Sequence, residues 1–110
     1  MGTIVYRNLI ELLLAERAKT KEEIIDEAIN RFGFPDNSNL SFGVGLQLTI
    51  GEKTRFFFRR EDEKYSLLRY DDGTSGRKNF LKTLNKADEN YFKERPWIKK
   101  LKIVLEERRT

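Results

Sequence analysis

Between Leu40 and Ile50 the chain places an apolar residue at every second position: Leu40, Phe42, Val44, Leu46, Leu48 and Ile50. Only Ser41, Gly43, Gly45, Gln47 and Thr49 stand between them. Period-two alternation is the pattern of a strand with one buried face. The glycines point the same way, since each costs a helix about 1 kcal/mol relative to alanine. Gly51-Glu52-Lys53 then reads as a turn and Thr54 to Arg60 as a second strand through Phe56, Phe57 and Phe58. Glu61-Asp62-Glu63-Lys64 is a charged loop, and Tyr65 to Tyr70 a third strand. Pairing Arg60 with Tyr65 sets Phe58 across from Leu67 and Phe57 across from Leu68. The pattern predicts a three-stranded antiparallel meander with helices on either side to cover its apolar face.

The flanks supply those helices. Thr3 to Ala18 has a wide apolar face of Val5, Tyr6, Leu9, Ile10, Leu13 and Leu14, with Arg7, Glu11, Glu16 and Arg17 expected opposite. After a break at Lys19, Thr20-Lys21-Glu22-Glu23 is a capping box that starts a second helix. Its Ile24, Ile25, Ala28, Ile29 and Phe32 recur at helical spacing until Gly33, with Pro35 just beyond. On the far side, Ser75 is expected to cap a helix with Phe80, Leu81, Leu84 and Ala87 inward. Lys78, Lys82 and Lys86 recur every four residues along its exposed side. Asp88 to Arg95 reads as a short helix or turn carrying Tyr91 and Phe92. Pro96 opens a last helix with Trp97, Ile98, Leu101, Val104 and Leu105 inward and Lys99, Lys100, Lys102, Arg108 and Arg109 outward. The expected class is α+β in a single domain over residues 1–110, with a core over 3–87 and a basic C-terminal helical segment over 88–110.

Composition excludes more chemistry than it suggests. The chain has 110 residues with no cysteine and no histidine, so disulfides, thiolate zinc sites and Ser-His or Cys-His nucleophiles are absent by inventory. No apolar run approaches the roughly twenty residues of a membrane span. Leu9 to Leu14 is too short and too charged around Glu11 for a signal peptide, so the expected location is cytoplasmic. The net charge of +4 is uneven. Residues 1–76 hold eleven Lys/Arg against thirteen Asp/Glu, and residues 77–110 hold eleven against five. Such asymmetry points to an anionic partner.

Motifs for catalysis are poor. Gly43-Val44-Gly45 lacks the third glycine and following helix of a dinucleotide loop. Asp36 with Asp62, Glu63 and Lys64 is a remote echo of a metal-dependent nuclease, and Asp71-Asp72 is better read as a turn that ends a strand. The expectation is a non-enzyme without cofactor, metal or small-molecule substrate.

A family resemblance rests on Thr20-Lys21-Glu22-Glu23-Ile24-Ile25, Val44-Gly45-Leu46-Gln47-Leu48, Gly51-Glu52-Lys53-Thr54-Arg55-Phe56 and Tyr65-Ser66-Leu67-Leu68. With the preceding helix they resemble the HARE type of winged helix-turn-helix domain over about residues 4–70. The resemblance implies a third helix over residues 39–50 in place of a strand, then a wing hairpin. It also implies association with transcription, chromatin and DNA-modification systems. The alternation and the glycines favour the meander, and the third helix with wing is the alternative architecture.

The functional expectation is nucleic-acid binding, DNA before RNA. Lys78, Lys82 and Lys86 would follow successive phosphates, Arg77 and Lys99 extend that surface, and Arg59 and Arg60 act as a wing would. The alternative is a protein-interaction module or inhibitor of viral or mobile-element origin. It would dock through a strand edge or the aromatic C-terminal segment, with a second copy of the chain among its partners.

Overall fold

The alternating run is a helix. In the computed structural model, which describes residues 3–107, Ser38–Lys53 forms a single 16-residue α-helix. At about 100° per residue, positions four apart share a face and positions two apart do not. The even-numbered apolar residues therefore split into two rows. Leu40, Val44 and Leu48 are buried, while Phe42, Leu46 and Ile50 are exposed. The glycines that counted against a helix explain how this one packs. A Cβ on Gly43 would overlap the Tyr6 ring and one on Gly51 the Phe57 ring, so their bare backbones let the helix close on its neighbours. Tertiary packing thus outweighs local propensity.

The elements in order are α1 (Ile4–Glu16), β1 (Lys19–Thr20), α2 (Lys21–Phe32), α3 (Ser38–Lys53), β2 (Phe57–Arg59), β3 (Lys64–Leu67), α4 (Arg77–Leu84), α5 (Glu89–Glu94) and α6 (Pro96–Glu107). The class is α+β, and the sheet is three-stranded and antiparallel in the order β1-β3-β2. The third strand of that sheet is the two-residue break at Lys19-Thr20, where no strand was expected. A third helix plus a wing hairpin therefore replaces the meander. Register also differs by one residue, since Phe57 faces Leu67, Phe58 faces Ser66 and Arg59 faces Tyr65. The turn is the cause. Arg60 N–H donates to Lys64 O at 2.7 Å and Glu63 sits at φ 67°, which leaves a three-residue loop.

Local chemistry sets the remaining boundaries. The capping box at Thr20 forms in full, and Gly33 ends α2 at φ 78°. The N-cap of α4 is Gly76 and not Ser75, whose carbonyl instead accepts from Asn8 Nδ2. α4 ends at Leu84, so Lys86 lies beyond the helix. Asp88 caps α5, and Pro96 is the first residue of α6. Arg108 and Arg109 lie outside the described residues.

The core gathers Leu9, Ile10 and Leu13 of α1 with Ile24, Ala28 and Phe32 of α2, the inner row of α3, Phe57, and Phe80, Leu84, Leu101 and Leu105 from the C-terminal helices. α1 is wrapped more fully than its pattern implies. Arg7 and Glu11, expected on its solvent side, are buried, because β3, α4 and α6 as well as α3 pack around it. No helix among the described residues is long and apolar enough to cross a membrane.

Candidate docking surface

α3 is held at a fixed rotation about its axis. Asn37 Oδ1 accepts from Leu40 N–H at 3.2 Å to start the helix. On its buried side Gln47 Nε2 donates to Thr3 Oγ1 at 2.7 Å, and Gln47 Oε1 accepts from Arg7 Nε at 2.9 Å. Arg7 also pairs with Asp71 at 3.1 Å and lies over the Phe56 and Phe57 rings. This polar seam locks α1, α3, β2 and the loop after β3 together. It aims the second apolar row outward.

Phe42 and Leu46 of that row share a face with the wing, joined to it through Thr49. Phe42 is 69% exposed, Leu46 and Ile50 36%, Phe58 55% and Leu68 53%. Two concavities run along this face. One, of about 610 Å³, is bounded by Lys21, Ser41, Phe42, Gly45, Leu46 and Tyr65; the other, of about 510 Å³, by Glu52, Lys53, Arg55, Phe57, Phe58 and Leu68. Thr49 belongs to both and joins them. The charged residues lining them are three cations, Lys21, Lys53 and Arg55, and one anion, Glu52.

The end of α3 at this surface is strained. Phe56 N–H donates to Gly51 O at 2.8 Å and Arg55 N–H to Glu52 O at 3.4 Å, the two closing bonds of a Schellman motif. The left-handed position in such a motif is usually glycine, and here Arg55 holds it at φ 65°.

The cations singled out in the sequence are spread over the wing, α4, the turn after it and α6. Arg59 and Arg60 lie on the wing but are paired with acids, Arg59 with Glu63 at 3.7 Å and Arg60 with Asp62 at 3.2 Å. The Glu63 charge raises the Arg59 pKa. Lys78 and Lys82 are exposed on α4, which packs on α1 and α6. α3 packs against α1, α2 and β2. α1 is the neighbour that the two helices share. Arg77, half-buried, lines a separate concavity with Asn8, Glu11 and Tyr70. Lys86 follows the end of α4, and Lys99 Nζ of α6 sits 5.0 Å from the Phe92 ring centre. Asp36 lies in the loop before α3, while Asp62 is taken up by Arg60. Gly43-Val44-Gly45 is mid-helix and forms no phosphate loop.

The residues missed by the sequence reading are Phe42, Leu46, Ile50, Phe58 and Leu68, with the cations Lys21, Lys53 and Arg55 around them. Their signal was present. A strict alternation over eleven residues also contains two rows with a four-residue period. Comparison of the chain with protein-family models, with curated proteins and with solved structures finds no match to any of them.

Proposed function

We propose that this chain is a non-enzymatic docking module that holds a partner protein on the face formed by α3 and the wing. The single observation that carries this reading is the outer row of α3 together with Phe58 and Leu68. Phe42 and Leu46 line one concavity and Phe58 and Leu68 the next, the two joined at Thr49, while a complete inner row fills the core. Contiguous exposed apolar area rimmed by polar residues is what interaction sites present. The order of α1 to β3 supports the winged helix-turn-helix resemblance, but in such a domain the third helix is the one that enters a DNA groove. Here its only cation is Lys53, at the last turn. Aliphatic side chains on that helix suit a protein better than phosphates.

A second reading, nucleic-acid binding, has its own observation. Lys78, Lys82, Lys86 and Lys99 are exposed and form no ion pair among the described residues, so they are available to phosphates. A photo-cross-linking amino acid placed at position 46 or at position 82 of the full chain in cells separates the two. The docking reading predicts a discrete protein adduct from position 46, lost when Phe58→Glu is added. Nucleic-acid adducts from position 82 with none of any kind from position 46 would overturn it in favour of the second reading.

A further inference from the structure

Building on the docking reading, we infer that the occupant of the α3–wing face is an amphipathic helix of another protein, apolar along one side and flanked by Asp or Glu. Shape argues for a helix. Along α3 the concavity runs from Ser41 to Thr49, about 12 Å at 1.5 Å per residue, the length over which a partner helix presents anchors at i, i+4 and i+7. Beside the outer row, Ser41, Gly45 and Thr49 keep the floor low, so a helix backbone can approach closely. Strand addition is disfavoured, since the sheet's two edges, β1 and β2, are only two and three residues long.

Charge argues for the acidic flanks. Lys21, Lys53 and Arg55 against the lone Glu52 leave the groove with an excess of positive charge. Lys21 Nζ lies 3.0 Å from where a Cβ on Gly45 would stand, so the cation reaches the floor itself. The same excess disfavours a second copy of this chain docked by the same face. Across a two-fold axis each cation would approach its own equivalents. Nucleic acid would satisfy the cations but would leave Leu46 and Leu68 against sugar and phosphate. The rings on which bases could stack, Phe42, Phe58 and Tyr65, are divided between the two concavities.

The test is a displayed library of helical peptides with leucine fixed at i, i+4 and i+7 and the flanking positions randomised, selected against the whole chain. Selected peptides should be enriched in Asp and Glu at the flanks and should shift the amide resonances of α3 and the wing. Lys21→Glu, Lys53→Glu and Arg55→Glu together should weaken them by at least about tenfold, less at high salt. Glutamine at the same three positions should give a smaller loss, and amide spectra of both variants report whether the fold is kept. Peptides that bind this face with basic or neutral flanks would overturn the acidic helix but leave the docking reading standing. No peptide binding at this face would overturn both. Displacement of selected peptides by single- or double-stranded oligonucleotides, or self-association in sedimentation that Phe42→Glu abolishes, would each overturn the inferred occupant.

Discussion

Glu11 shows at the scale of one residue how far burial departs from pattern. Its Oε1 accepts from Asp71 N–H at 3.1 Å, while Oε2 is buried with no hydrogen-bond partner among the described residues. Burial pushes its carboxyl up to about 7, against the lowering effects of the Asp71 N–H and of Arg7 and Arg77. A carboxyl with a raised folded pKa holds its proton more tightly when folded. Its stabilisation is therefore full below the ordinary value of 4.5 and is lost as pH rises to about 7. Urea melts should show stability falling over that window by up to about 3 kcal/mol, and Glu11→Gln should flatten the fall. A slope unchanged in the variant would assign it to another group. Glu16 works in the opposite sense. The hydrogen bond from Arg31 lowers it to about 2, so its contribution is present above 4.5 and is lost only as pH falls through that lower range.

Two ends of elements carry predictions of their own. Arg55 occupies a left-handed position that costs a residue with a side chain about 1–2 kcal/mol, so Arg55→Gly should raise stability by up to about 1 kcal/mol in denaturant melts. The same change should weaken acidic peptides on the wing face. A stability loss would show that the Arg55 side chain contributes more than its backbone costs. At the β1 end, Lys19 is buried between Glu16 at 2.9 Å and Glu27 at 2.8 Å, and Arg31 spans the same two carboxylates. Removing the partner of buried charges is far costlier than removing an exposed one. Lys19→Met should cost about 3 kcal/mol or more, whereas Arg17→Met, at an exposed pair with Glu23, should cost under about 1 kcal/mol. Equal losses would mean that water reaches Lys19.

Across the whole molecule, the parts legible in the sequence are those fixed by neighbours along the chain. The capping box at Thr20, the left-handed Gly33, Asp88 before α5 and Pro96 opening α6 are local chemistry, and each stands where its residues place it. What was not legible depends on distant partners. Nothing near Gly43 or Gly51 shows that Tyr6 and Phe57 will need their space, so the glycines read as helix breakers when they are packing sites. β1 exists only because β3 pairs with it, and Arg7 is buried because Gln47 of α3, the Phe56 and Phe57 rings and Asp71 all close on it from far along the chain. The lysines of α4 form a row in sequence, but the helix ends at Leu84, before Lys86.

The central claim is that one alternating run supplies both a core row and a docking row, and two leucines two residues apart test it most directly. Leu46→Ala and Leu48→Ala remove the same atoms from outer and inner faces. Denaturant melts should show a loss of about 2–5 kcal/mol for Leu48→Ala and under about 1 kcal/mol for Leu46→Ala. On a strand with one buried face both leucines would point inward. Comparable large losses from the two substitutions would contradict the helix, its exposed row and the docking surface built on it.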